Sequence, residues 1–169
     1  AASAFPVWSA MGPNARRAKL MRAADLLESR VDGFVTHMTG EIGATAGWAH
    51  FNVHLAASML REAAAMTTQI TGEVIPSDRS GSVAMAFRQP VGVILSMAPW
   101  NAPVILAVRS VAMPLACGNT VVLKASEVCP ATHRLVGEAL CEAGLPPGTL
   151  NVVTNAPADA PRIVEALIG

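Results

Sequence analysis

Residues 91–127, VGVILSMAPWNAPVILAVRSVAMPLACGNTVVLKASE, decide the fold. Val91–Met97 is an apolar strand that ends at the corner Pro99-Trp100-Asn101. The spacing then predicts a helix over 103–116 and a second apolar strand over 120–124 that delivers Lys124 and Glu127. Pro103 falls in the first turn of that helix and Gly118 just past its end, the asymmetry helices favour. Both strands are continuously apolar, as strands covered on two faces should be. A strand–helix–strand unit of this length is a parallel crossover. Polar side chains just past two successive strand ends are how a parallel α/β sheet builds a site.

Outward from this unit the pattern repeats. A helix is predicted over 130–143, opened by Pro130 and closed by Gly144, then a strand over 149–154 and the start of another helix in APRIVEALIG. Upstream, Val83–Arg88 reads as an exposed strand and Glu73–Ser82 as a turn rich in Pro, Gly, Ser and Asp. Three helical stretches come first: Asn14–Arg30 with Asn14 placed to cap, Phe34–Thr39 halted at Gly40, and Trp48–Ile70 halted at Gly72. The expected fold is a doubly wound, Rossmann-like parallel α/β sheet preceded by cap helices, divided into 1–72, 73–90 and 91–169. The sequence starts without Met and stops at Gly169 as a helix begins, so a piece of a larger fold is expected.

Composition narrows the function. Of 169 residues, 52% are apolar and 14% charged, enough for a buried core and unlike a disordered chain. Net charge is zero, from 12 basic and 12 acidic residues, with no basic stripe to meet a phosphate backbone. Nucleic acid is therefore not an expected partner. The longest uncharged apolar run, Val91–Val108, is broken by prolines and Asn101 and makes a poor membrane span. No secretion signal opens the sequence, and the three cysteines, Cys117, Cys129 and Cys141, are odd in number. Reduced thiols in a cytoplasmic protein are the expectation.

Three places could carry chemistry. The Asn101 amide, at a strand-to-helix corner, could donate to an oxygen gaining negative charge or could merely cap the following helix; the rigid Pro99-Trp100 corner favours the first. Lys124 and Glu127 supply an ammonium donor and a two-oxygen acceptor suited to the vicinal hydroxyls of a ribose. A carboxylate there also repels a 2′-phosphate, so NAD is expected over NADP. The alternative is an ordinary surface ion pair, and no G-x-G-x-x-G follows any strand. Arg109, on an otherwise apolar helix, is a buried partner, a substrate contact or a residue reaching to solvent. Cys129 and His133 are four apart across a helix start, not a recognisable nucleophile pair. His37, His50, His54 and His133 share no metal spacing and read as structural, so no metal is expected.

PVGVILSMAPWNAP, LACGNTVVLKASEVCP and AGLPPGTLNVV, in this order, resemble the cofactor-binding half of the aldehyde dehydrogenase superfamily. The resemblance covers essentially the whole chain. It implies that Asn101 is the oxyanion-hole asparagine and that Met97, Ala98, Pro99 and Trp100 line the cofactor near its nicotinamide half. It implies that Lys124 and Glu127, with Ala125 and Ser126 between them, hold the adenosine ribose and that Pro157 lies near the adenine. Ala125 stands where the family usually has proline, and Ala156 where it usually has glycine. EVIPSDRSGSVAMAFRQ resembles the first part of an oligomerisation hairpin, implying a homodimer or homotetramer. Within the superfamily, Trp48 and the arginine eight residues past Asn101 are similar to bacterial salicylaldehyde dehydrogenases. An indole face suits an aromatic ring, and a guanidinium suits an ortho hydroxyl; Ala102 and Ile105 complete the implied substrate wall. A vanillin, benzaldehyde or semialdehyde substrate is the near alternative, and a non-catalytic nucleotide-binding or assembly module the distant one. The family oxidises aldehydes through a cysteine thiohemiacetal, and no cysteine here matches its nucleophile, so these residues alone should be inert.

Overall fold

The computed structural model describes residues 1–169. After a short 3-10 turn the chain forms helices α1 (Phe5–Ser9), α2 (Pro13–Ser29), α3 (Val31–Ile42) and α4 (Ala46–Met66). Strands β1 (Glu73–Ile75) and β2 (Ala84–Ala86) follow, then β3 (Val93–Met97), α5 (Pro103–Ala116), β4 (Thr120–Lys124), α6 (Pro130–Glu142), β5 (Leu150–Val153) and α7 (Ala160–Ile168). β3, β4 and β5 make a parallel sheet in sequential order, as the strand–helix alternation requires. The fold is parallel α/β with helices in front.

Several boundaries differ from the sequence reading, each for a local reason. α2 is capped at Gly12, so Asn14 lies inside the first turn. α3 runs through Gly40, where no neighbour stands within 4 Å, and stops at Gly43, whose left-handed φ of 65° suits a residue without Cβ. α4 starts before Trp48 because Thr45 Oγ1 accepts the Trp48 N–H at 3.2 Å. It also ends at Met66, short of Ile70. Glu73–Ile75, read as turn, pairs antiparallel with Ala84–Ala86. The strand expected from Val91 begins at Val93, because the Asn119 Oδ1 takes the Val91 and Gly92 N–H groups at 2.7 and 3.1 Å.

The sheet is covered on one face. Ser96, paired with Leu123, turns toward α5 and donates to the Ser110 carbonyl at 2.9 Å. That carbonyl is the one left without a helical donor by Pro114, which sits inside α5 and has no N–H. Val93 and Met97, expected to be covered, are 46% and 54% exposed. Successive crossovers of one hand, in sequential strand order, put α5 and α6 on the same side.

α5 is the hub. Val104, Val108, Val111 and Leu115 are fully buried in a core that also takes in Leu20, Leu27 and Leu60 from the front helices and Leu123 and Leu140 behind. The segments 1–72 and 91–169 thus share one core. Two side chains of the N-terminal region satisfy the end of α5: Trp8 Nε1 donates to Leu115 at 3.1 Å, and Arg16 Nε donates to Ala116 at 3.0 Å. On the same face of the sheet as α5, α6 lies so close that a Cβ on Gly137 would come within 2.5 Å of Val152 Cγ2.

Trp8 is wholly buried, with its indole hydrogen-bonded. Trp8→Ala is expected to cost about 3–5 kcal/mol of stability. Trp8→Phe, which keeps most of the volume but loses the donor, should cost about 1 kcal/mol. Urea midpoints at constant m-value check both.

Candidate functional site

The parallel register sets Met97 opposite Lys124, so the two strands end side by side. The ladder continues one step beyond: the Ala98 N–H donates to the Lys124 carbonyl at 3.2 Å, and the Ala125 N–H to Val153 at 2.9 Å. The corner 97–101 and the turn 124–127 are therefore neighbours, held by backbone.

At the corner, Ala102 rather than Asn101 occupies the helix N-cap, and no side chain caps α5. The capping alternative for Asn101 is not realised. Its amide makes no hydrogen bond and is exposed, beside the positive end of the α5 dipole. Its carbonyl is held: Trp48 Nε1 donates to it at 3.3 Å across the start of α4. Trp48 also stacks on Phe51, with ring centroids 5.5 Å apart and planes 20° apart. Both rings are exposed and form an aromatic wall near the start of α4, whose Trp48 reaches the Asn101 carbonyl. Met97 and Trp100 are exposed on the corner as well, Ala98 is buried, and Ala102 half-buried. Ile105, 5% exposed, offers little surface of its own.

Arg109 lies apart from Trp48. It is exposed, with no hydrogen bond or ion pair, in a groove with Met59, Glu62 and Met113. Of the three readings of Arg109, burial with a partner is thereby removed.

On the other side, Lys124 and Glu127 form a close ion pair, with side chains 9% and 21% exposed. Glu127 Oε1 also accepts from Asn155 Nδ2 at 3.1 Å. These contacts, the Lys124 hydrogen bond foremost, hold the Glu127 carboxyl down at about 2, so it is a carboxylate at any physiological pH. Both of these side-chain bonds go to Oε1, which leaves Oε2 to accept from elsewhere. An ammonium, a clamped carboxylate and its second oxygen form a donor–acceptor set that fits two adjacent sugar hydroxyls. Ala125 and Ser126 between them are buried, and Pro157 lies exposed beyond the third strand end.

The α6 start beneath this turn is braced from afar. Glu41, on α3, accepts the free N–H groups of Ala131 and Thr132 at 2.7 and 2.9 Å and the Thr132 hydroxyl at 2.6 Å. Asn155, Glu41 and Phe51 escaped the sequence reading. For Asn155 a signal existed: it stands just past the end of β5, as Asn101 and Lys124 stand past theirs.

No cysteine is poised for attack. Cys129 is buried, and burial pushes its thiol up to about 11; burial likewise raises Cys141. No group of His, Cys, Asp and Glu could hold a metal ion, and no helix is long and apolar enough to cross a membrane.

Known proteins resemble this chain over nearly its whole length. The aldehyde dehydrogenase family model matches residues 1–168. A vanillin dehydrogenase from Pseudomonas fluorescens is 64% identical over 99% of the chain and 35% of its own length. A salicylaldehyde dehydrogenase from Pseudomonas putida is 51% identical over the same shares. Among solved structures, the salicylaldehyde dehydrogenase of Pseudomonas putida G7 complexed with salicylaldehyde superimposes with a TM-score of 0.98 at 50% identity, over 100% of this chain and 35% of that one. An NAD-dependent benzaldehyde dehydrogenase from Corynebacterium glutamicum does so with a TM-score of 0.90 at 33% identity, over 94% and 34%. The chain thus spans about a third of the length of these relatives.

Because the Glu127 carboxyl is depressed to about 2, its pairing stabilises the fold above the ordinary carboxyl value near 4.5 and is lost as pH falls through about 2. Wild type should therefore exceed Glu127→Gln in stability at neutral pH, and the gap should close between pH 4.5 and 2. Urea midpoints taken across that range, with a gap that does not narrow counting against the pairing, check this.

Proposed function

The chain belongs to the aldehyde dehydrogenase family, and from that premise we propose that it carries the oxyanion donor and the ribose-binding half of an NAD-dependent aromatic aldehyde dehydrogenase. The observation that supports this reading most is the register of Met97 against Lys124, which brings the corner that carries Asn101 next to the turn that carries Lys124 and Glu127.

In this proposal the aldehyde ring rests against Trp48 and Phe51, with its carbonyl oxygen at the Asn101 amide. The amide donates to that oxygen more strongly as it gains charge, which lowers the barrier rather than merely binding substrate. Pinning of the Asn101 carbonyl by Trp48 keeps the amide from turning away when the ligand binds. Met97, Ala98, Pro99 and Trp100 shape the approach of the cofactor, which when bound supplies a hydride acceptor. Lys124 donates to one ribose hydroxyl, and the second oxygen of Glu127 accepts from another. A carboxylate fixed in that place repels a 2′-phosphate and so selects NAD over NADP. Pro157 is proposed to flank the adenine. The attacking thiolate must come from a cysteine other than Cys117, Cys129 and Cys141, of which Cys129 is buried and protonated.

For the substrate we favour a salicylaldehyde-like compound whose ortho oxygen meets Arg109, with Ala102 and Ile105 shaping the wall between them. A vanillin-like aldehyde is the second reading, favoured by 64% identity to the Pseudomonas fluorescens enzyme. The β1–β2 hairpin exposes Val74, Met85 and the adjoining Phe87 at 76, 53 and 71%, which fits a surface buried between subunits of a dimer or tetramer. Three unpaired cysteines fit a reducing, cytoplasmic setting.

In the full-length protein, Asn101→Ala should lower kcat about 10²–10³-fold with little change in the Kd for NAD; an unchanged kcat would remove the oxyanion role. Glu127→Gln should narrow the preference for NAD over NADP, read as the ratio of kcat/KM for the two cofactors. Arg109→Leu should cut kcat/KM about tenfold for salicylaldehyde while sparing benzaldehyde; equal losses would favour the vanillin-type reading.

A further inference from the structure

His133 is wholly buried in the first turn of α6 and touches no proposed ligand, yet it is the polar side chain that the cofactor-side turn closes around. Its Nδ1 accepts the Ser126 N–H at 3.0 Å. Ser126 is the residue before Glu127, and its hydroxyl in turn accepts the Val128 N–H at 3.2 Å. The turn between β4 and α6 is thus tied from below by the imidazole and from within by the serine. At its other edge the ring lies 3.9 Å from Cys129 Sγ, and the Pro103 carbonyl, two residues past Asn101, pulls toward protonation but is outweighed by burial.

A ring used only as packing would be better replaced by a hydrocarbon, because burying an imidazole costs free energy unless its nitrogens find partners. The bond from the His133 N–H to the Cys129 carbonyl at 3.2 Å is an ordinary helical bond that any residue makes. The bond to Ser126 is the one that needs this side chain. It also needs the ring neutral, since only an unprotonated Nδ1 can accept. Burial, opposed by Pro103 and Glu41 and reinforced by the Lys124 charge, depresses His133 to about 4 and keeps it so.

We infer that His133 is the positioning residue of the cofactor site, its Nδ1 holding the Ser126 amide so that the 125–128 turn presents Glu127 to the ribose. The inference rests on the NAD reading above. Without the acceptor, the Ser126 N–H is a buried donor with no partner, and the turn must shift to satisfy it, carrying Glu127 away from Lys124. The effect falls on cofactor binding because Asn101 and Trp48 are held by other bonds.

The test uses the full-length protein, with NAD binding followed by calorimetry and backbone exchange by deuterium mass spectrometry. His133→Leu should raise the Kd for NAD about five- to tenfold, speed exchange at 125–128 in the cofactor-free protein, and leave the KM for aldehyde within about twofold. His133→Asn should restore most of the affinity, because its Oδ1 is as many bonds from Cα as Nδ1 of histidine. His133→Gln, whose amide reaches to the Nε2 position instead, should not. An unchanged Kd in folded His133→Leu would overturn the inference while leaving the NAD reading intact. Wild-type protein that binds no NAD would overturn both. Should His133→Leu fail to fold, equal affinities for the Asn and Gln variants would overturn it.

Discussion

Parallel pairing of Met97 with Lys124 is the constraint from which the candidate site follows. A slip of one residue would turn the side chains of one strand to the opposite face, taking either Ser96 off α5 or Lys124 off the face it now shares with Met97. The register is secured at both ends. Asn119 closes the start of the β3–β4 unit through the Val91 and Gly92 amides, and the Ala98 amide extends the ladder past its end. With the backbone fixed in this way, the corner and the turn lie next to each other without a direct side-chain contact between them.

α5 connects that register to the rest of the molecule. It carries Asn101 just ahead of its first turn and an interior proline near its last, so it begins at the site and ends with carbonyls that need donors. Ser96, Trp8 and Arg16 provide them from the sheet and from the N-terminal helices. Buried polar groups of this kind are costly if orphaned, so the N-terminal region is required by α5 as well as packed against it. The same helices reach the site directly, through Trp48 at the corner and Glu41 beneath α6.

The βαβαβ order, the helix bounds at Pro103 and Pro130, and the positions of Asn101, Lys124 and Glu127 were legible because they rest on local signals: apolar runs, prolines that open helices, and polar residues past strand ends. The β1 strand was not legible. Glu73–Ile75 exposes all three residues and carries no burial pattern, and only its partner makes it a strand. Gly40 misled because an exposed glycine can continue a helix at modest cost, whereas Gly43 is required by its left-handed backbone.

What the sequence determined by itself was the fold class, the family resemblance and the residue types at the two strand ends, all written in neighbours a few positions apart. The tertiary structure decided the partners: that Asn101 leaves its helix uncapped and its amide free, that Arg109 is exposed, that Asn155 holds Glu127 and that His133 Nδ1 accepts the Ser126 N–H. The physical reason is separation along the chain. Trp48 reaches Asn101 across 53 residues, Glu41 reaches Thr132 across 91 and Trp8 reaches Leu115 across 107. Hydrogen bonds need angstrom-scale geometry, and no spacing rule carries that over such distances. It exists only once the shared core has brought the segments together.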